Sequence, residues 1–249
     1  MLIIDMLFPR RCPVCDGLLE LEDNMQLRGA LHLRSAVPPA GIHAECQKKL
    51  YIVSSPTCMK CGQPIDNPQG EYCYDCGKKR HSYIQGKGVF LYKGAIKTSM
   101  YRFKYGGKQE YARYYAMETK KYYGKWIEQE HIDIIIPVPM YRRKEKMRGY
   151  NQAAVFAKAL SKAAGVPYSR KIVTRTKNTE PQKLLNDIER KNNLKNAFKV
   201  SRNIVKYRRI LLVDDIYTTG STIDAIASEI KKTGIQDIYF LSVCIGKGI

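Results

Sequence analysis

The sequence predicts an α/β fold, a parallel sheet with helices on both faces, preceded by a small zinc-ribbon-like module. Three observations carry this expectation. From about residue 84 apolar runs alternate with amphipathic segments, one of those runs ends in paired aspartates, and cysteines crowd the first third of the chain. The expected division is residues 1–80 for a double zinc-binding module and 84–249 for the α/β domain, with the boundary in the polar run Gly77-Lys78-Lys79-Arg80-His81-Ser82.

Within the second part, Ile132–Val138 is apolar apart from Asp133 and is stopped by Pro139, the pattern of a strand covered on both faces. Ala153, Phe156, Ala157, Leu160 and Ala164 then recur at helical spacing after Asn151, and Gly165 with Pro167 closes that helix. Ile172–Arg175 reads as a short strand and Ile210–Val213 as a second buried one. A helix follows from Ser221 to about Lys232, ended by Gly234, and Ile238–Ile245 supplies a further strand in which Cys244 is a buried structural thiol.

A hydrophobic content of 44% over 249 residues excludes wholesale disorder. No run approaches the roughly eighteen apolar residues that a membrane-spanning helix needs. The opening MLIIDMLFPRRC has neither a basic region before its apolar stretch nor a small-residue cleavage site, so a soluble, cytoplasmic protein without membrane insertion is expected. The net charge of +20 is local: residues 1–80 carry 10 basic and 9 acidic side chains, residues 81–209 carry 30 and 9. Such a field draws nucleic acid, phosphorylated small molecules or anionic surfaces.

Seven of the eight cysteines lie within residues 12–76, six of them as C-x-x-C pairs, spacing that suits metal better than disulfides in a reducing compartment. Cys58 and Cys61 can be closed by Cys73 and Cys76 into a four-thiolate zinc site. Cys12 and Cys15 find their partner in His43-Ala44-Glu45-Cys46, where histidine stands at one ligand position; the alternative is a solvent-facing His43 beside an empty or three-coordinate site. Two structural zinc ions are expected, with no open coordination position for catalysis.

In Arg209-Ile210-Leu211-Leu212-Val213-Asp214-Asp215-Ile216-Tyr217-Thr218-Thr219-Gly220-Ser221-Thr222, four apolar residues bring two carboxylates to the carboxyl edge of a sheet, where open α/β folds bind ligands. The hydroxyl-rich turn feeds into a helix whose first N–H groups suit a phosphate. Paired carboxylates can take two vicinal ribose hydroxyls, directly or through magnesium. The plainer reading is a strand end followed by a helix cap.

This segment resembles the phosphoribosyl pyrophosphate-binding signature of type I phosphoribosyltransferases. Pro137-Val138-Pro139, Arg148-Gly149-Tyr150-Asn151-Gln152, then Arg175 with Thr179, Gln182, Leu185, Arg190, Asn193 and Phe198, together with the amino-terminal cysteines, resemble in order the ComF family of competence-associated phosphoribosyltransferase-like proteins. His43 departs from the all-cysteine pattern of that family. The resemblance implies that Asp214 and Asp215 hold the ribose hydroxyls and act in catalysis with Arg148. It implies that Thr218, Thr219, Gly220, Ser221 and Thr222 cradle the 5′-phosphate, and that Arg148 and Gln152 lie on the pyrophosphate side. Arg148, Arg175 and Arg190 taken singly read more readily as surface charges, and it is their order relative to the acidic loop that favours a role at the ligand. Residues 177–198 match in position a segment that covers the ligand in related folds, and their helical spacing fits plain packing too.

Between Tyr92 and Trp126, Lys93, Lys97, Arg102, Lys104, Lys108, Arg113, Lys120, Lys121 and Lys125 interleave with Tyr101, Phe103, Tyr105, Tyr111, Tyr114, Tyr115, Tyr122 and Tyr123. That mixture suits single-stranded DNA, with lysines tracking phosphates and rings stacking on bases, or else an amphipathic helix after Gly107 with a solvated basic face. Arg142, Arg143, Lys144 and Lys146 add cations for DNA or pyrophosphate. The expected function is a ComF-like role in DNA uptake with phosphoribosyl pyrophosphate and magnesium bound. The alternatives are a salvage-type phosphoribosyltransferase or a ligand-sensing adaptor for a helicase-like partner. The sequence marks no acceptor pocket and no general base.

Overall fold

The computed structural model describes residues 10–19, 41–177, 194 and 196–246. Within them the chain forms α1 (Ala44–Gln47), α2 (Tyr74–Lys78), β1 (Gly86–Leu91), α3 (Ala95–Tyr105), α4 (Tyr111–Gln129), β2 (Ile134–Pro137), α5 (Arg142–Arg148) and α6 (Gln152–Ala164). There follow β3 (Val173–Arg175), β4 (Phe198–Val200), β5 (Arg209–Tyr217), α7 (Ser221–Lys231) and β6 (Asp237–Ile245).

β1, β6, β5 and β2 lie side by side in that order, and every neighbouring pair is parallel. Ile135 also makes a parallel bridge to Tyr168 on the outer side of β2. Because successive strand residues face opposite sides, the unbroken apolar runs of β5 and β6 feed two cores. Ile210, Leu212, Ile238 and Phe240 pack with Ile223, Ile226 and Ile230 of α7. Leu211, Val213, Leu241 and Val243 pack with Met100 and Phe103 of α3, Tyr115 of α4, and Phe156 and Leu160 of α6. Helices on both faces of a parallel sheet are therefore found as expected.

Asn151 ties α6 to the sheet. Its Oδ1 accepts from Ala153 N at 2.9 Å while its Nδ2 donates to Val138 O at 3.0 Å, so the helix start is capped and moored to the end of β2 in one contact.

The short strand expected at Ile172–Arg175 forms at Val173–Arg175 but stands outside the parallel sheet, paired antiparallel with β4. Three residues with one buried side chain fit the rim of a domain better than its centre. Arg142–Lys146, read as a cationic cluster, is helical in α5, and the basic-aromatic stretch is divided between two helices, α3 and α4. Thr179, Gln182, Leu185, Arg190 and Asn193 lie outside the described residues. Among the described residues no helix is long and apolar enough to cross a membrane.

Candidate functional site

β5 carries its apolar residues through the core and delivers Asp214 and Asp215 near its carboxyl end, where Asp214 stands in register with Ser242 of β6. Asp215 is only 5% exposed. Lys104, near the end of α3, reaches across so that its Nζ lies 3.0 Å from Asp215 Oδ2. That ion pair is not aligned as a hydrogen bond, and the buried Oδ2 has no aligned donor among the described residues. Burial opposes the Lys104 charge, but Asp215 and then Asp214 outweigh it and hold its pKa above the ordinary lysine value. Asp214 keeps part of its surface accessible, yet burial and the neighbouring Asp215 carboxylate push its pKa up to about 8. Ionising both carboxylates would therefore put more negative charge here than Lys104 alone offsets.

Cations stand around this pair. Burial pulls the Arg175 guanidinium below its usual pKa while the charge of Asp214 supports it, which sets the arginine within electrostatic reach of the acids. Lys144 is pulled down by burial and by Arg175 and Arg148, so these three positive groups share one neighbourhood. Arg148 Nη1 donates to Gln152 Oε1 at 2.6 Å, joining two of the residues assigned to a pyrophosphate, and its guanidinium lies 4.6 Å over the Tyr105 ring.

Thr218-Thr219-Gly220 turns from β5 into α7. Gly220 has φ +76, and a Cβ there would stand 2.6 Å from Tyr217 Oη, so both conformation and space call for glycine. Thr219 Oγ1 and Ser221 Oγ lie 3.0 Å apart, and Thr222 follows in the first turn. α7 starts at Gly220 without a side-chain cap hydrogen bond, and the amides of a helix start point where an anion would sit.

The two cysteine groups assemble as the spacing suggests. Cys12, Cys15, His43 and Cys46 offer ligand atoms all within 4.8 Å of one another, and so do Cys58, Cys61, Cys73 and Cys76; each group could hold a metal ion. Cys15 Sγ is 3.2 Å from His43 Nδ1, while His43 Nε2 is 2.9 Å from the Leu18 carbonyl. A carbonyl can only accept, so Nε2 carries the proton and Nδ1 turns its lone pair to the cysteines, as a ligand must. Burial works against the Cys15 thiolate, but the Gly17 amide and His43 bring its pKa down to about 7. In the other group, contacts from Cys61 and then Cys76 pull the Cys58 pKa far down. Both donor sets fit zinc.

The basic-aromatic stretch separates cleanly. Tyr111, Tyr114, Tyr115 and Phe103 are buried in the core, whereas Tyr101 and Tyr105 are 65% and 62% exposed with ring centroids 5.1 Å apart on α3. Of the cations, Lys104 is committed to Asp215, Lys108 to Asp16 and Arg102 to the Val14 carbonyl. The sequence reading placed Lys104 among residues for DNA; nothing local in the sequence announces a partner that only the tertiary fold brings close.

The phosphoribosyl transferase domain family matches residues 150–247. Competence protein F of Haemophilus influenzae is 34% identical over 219 residues, 85% of this chain and 91% of that protein. Competence protein ComFC of Bacillus subtilis is 25% identical over 230 residues, covering 90% and 89% of the two chains. The DNA utilization protein YhgH of Escherichia coli matches at 36% over 112 residues, 45% of this chain and 49% of that one. The parallel sheet, the acid pair ahead of a glycine turn and a similarity that spans most of both chains lead to one assignment: this chain belongs to the ComF family, with a type I phosphoribosyltransferase fold.

Proposed function

We propose that this protein binds phosphoribosyl pyrophosphate with magnesium at the β5–α7 turn and handles single-stranded DNA during DNA uptake. The observation that carries the first part is the buried pair Asp214–Asp215, whose full ionisation calls for a further cation, beside a helix start without a side-chain cap and a group of cations. Asp214 and Asp215 accept the ribose hydroxyls or hold magnesium, for which a buried carboxylate oxygen without an aligned donor is a suitable ligand. Thr218, Thr219, Gly220, Ser221 and Thr222 take the 5′-phosphate. Arg148 and Gln152, together with Lys144 and Arg175, meet the pyrophosphate. Magnesium supplies charge neutralisation on the pyrophosphate. Residues 1–80 act as a metal-organised module, holding zinc through Cys12, Cys15, His43 and Cys46 and through Cys58, Cys61, Cys73 and Cys76.

The DNA part is supported by the names of the relatives, competence and DNA utilization proteins, and by the exposed Tyr101–Tyr105 pair, whose Tyr105 ring lies under the Arg148 guanidinium. Exposed neighbouring rings edged by arginine form a platform for bases. Anisotropy of a labelled single-stranded oligonucleotide tests this. Affinity should fall steeply with added salt, and replacing Tyr101 and Tyr105 together by alanine should weaken it by about tenfold or more. No binding by wild type at low salt would contradict the DNA reading.

A further inference from the structure

The second cysteine group and the ligand turn are joined by side chains that neither site needs for itself. His81 is the main one: its side chain is 2% exposed, its Nδ1 lies 2.6 Å from Asp224 Oδ2 and its Nε2 lies 3.5 Å from Cys76 Sγ. Asp224 stands in the first turn of α7, its amide donates to Gly220 O at 2.8 Å, and its Oδ1 accepts from Ser82 N at 2.8 Å. Two further links run the same way. His81 stacks on Tyr83 at 4.9 Å, and Tyr83 Oη meets Tyr217 Oη, the atom against which Gly220 packs, at 2.8 Å. Gln63, two residues beyond Cys61, donates to Gly246 O at 2.6 Å, and Gly246 N donates to Tyr217 O at 2.8 Å.

We infer that His81 and Asp224 are a positioning pair that anchors the turn 218–222 to the second metal site, so that the order of that site sets how well the turn is formed for a ligand. The physical need is plain. A carboxylate one turn into α7 would repel any anion held at the helix start, unless it is engaged elsewhere. His81 and the Ser82 amide hold both oxygens of Asp224 on the side of the cysteine group. A ligand turn works only when its donors are fixed to within about 0.5 Å, and a metal-organised knuckle is a rigid post for that purpose.

For its effect on affinity the inference rests on the reading of 218–222 as a phosphate turn; for its effect on order it does not. Hydrogen exchange on the full, metal-loaded chain tests the second directly. In His81→Ala both metal equivalents should remain, because the four thiolates are untouched. Amides of 218–224 should exchange about tenfold faster, while those of Ile210–Val213 and of β6 keep wild-type protection. In His81→Asn, whose amide nitrogen can stand where Nδ1 stands and donate to Asp224, protection of the turn should return. Calorimetry on the same proteins should show phosphoribosyl pyrophosphate with magnesium binding about tenfold more weakly to His81→Ala than to wild type. Wild-type exchange at 218–224 in His81→Ala would overturn the inference, and so would a loss of protection spread evenly through β5 and β6, which marks a merely structural histidine. If wild type itself binds no phosphoribosyl pyrophosphate, the ligand reading fails, and the exchange result still decides the role of His81. Should His81→Ala not fold, Tyr83→Phe, which removes only the hydroxyl link, should raise exchange at 217–220 alone; no change there would count against the coupling.

Discussion

The knuckles Cys12-Pro13-Val14-Cys15 and Cys58-Met59-Lys60-Cys61 close the same turn but serve different parts of the molecule. Asp16 N donates to Cys12 O at 2.8 Å and Gly62 N to Cys58 O at 2.9 Å; the two residues share a left-handed backbone, φ +67 and +75. At Gly62 a Cβ would stand 2.7 Å from Gly86 O, so glycine is needed where the knuckle lies against β1. Asp16 accepts the strain of a side chain at positive φ, offset by Tyr111 Oη donating to it at 2.7 Å and Lys108 pairing with it at 2.9 Å. The Pro13 and Val14 carbonyls take Ser99 Oγ and Arg102 Nη1. The first knuckle is thus stapled to α3 and α4, which carry the exposed tyrosines. The second is stapled through Lys60 O to Gly86 N and through Gln63 to Gly246, next to the ligand turn. One cysteine motif fixes two surfaces, and its surroundings decide which.

The largest effect is expected from Cys58→Ala. Cys58 is fully buried in the core cluster that includes Tyr217 and Phe240, so a metal held by its group would contribute folding energy to the sheet itself. Metal analysis should fall from two equivalents to one, and calorimetric Tm should drop by about 10 °C or more. Cys46→Ser should also lose one equivalent and weaken oligonucleotide binding, while phosphoribosyl pyrophosphate affinity should fall less than in Cys58→Ala, because α3 and α4 lose their staple and α3 reaches the acid pair through Lys104. Equal damage to both activities from both variants would break the comparison.

Asp214→Asn separates stability from binding. The folded state raises the Asp214 pKa to about 8, above the roughly 3.9 of an unfolded aspartate. Its contribution to stability is therefore greatest below pH ~4 and declines as pH rises through about 8, since ionising the buried group costs more in the fold. Without magnesium or ligand, the asparagine variant should unfold later than wild type at pH 7.5, by about 1 kcal/mol or more, and lose the ligand-induced rise in Tm. A less stable variant would refute the electrostatic account of the acid pair. The smallest change belongs to His43→Cys, which should keep both metals and move Tm by no more than about 2 °C, since thiolate and imidazole are comparable zinc ligands.

Much of this was legible in the sequence because the signals are local. The apolar runs at Ile210–Val213 and Ile238–Ile245, the cap at Asn151 and the C-x-x-C spacings each act over a few residues, and each forms the element or group it suggests. What escaped is long-range. Lys104 looks like any other lysine of a basic helix until the fold sets it against Asp215, and His81 falls in a polar run that reads as a linker until Asp224 and Cys76 close on it. The interleaved tyrosines look equivalent because aromatic residues suit core and surface alike; only packing of α4 against the sheet divides Tyr115 from Tyr101. The antiparallel pair β3–β4 escaped because three-residue strands carry too little pattern to show their partner.

The most direct test of the account is calorimetric titration of phosphoribosyl pyrophosphate with magnesium into wild type and into the double variant Asp214→Ala and Asp215→Ala, both checked for fold and metal content. The account predicts saturable, magnesium-dependent binding to wild type that vanishes in the double variant. A folded, metal-replete wild type that gives no heat, or a double variant that binds as well as wild type, would contradict it.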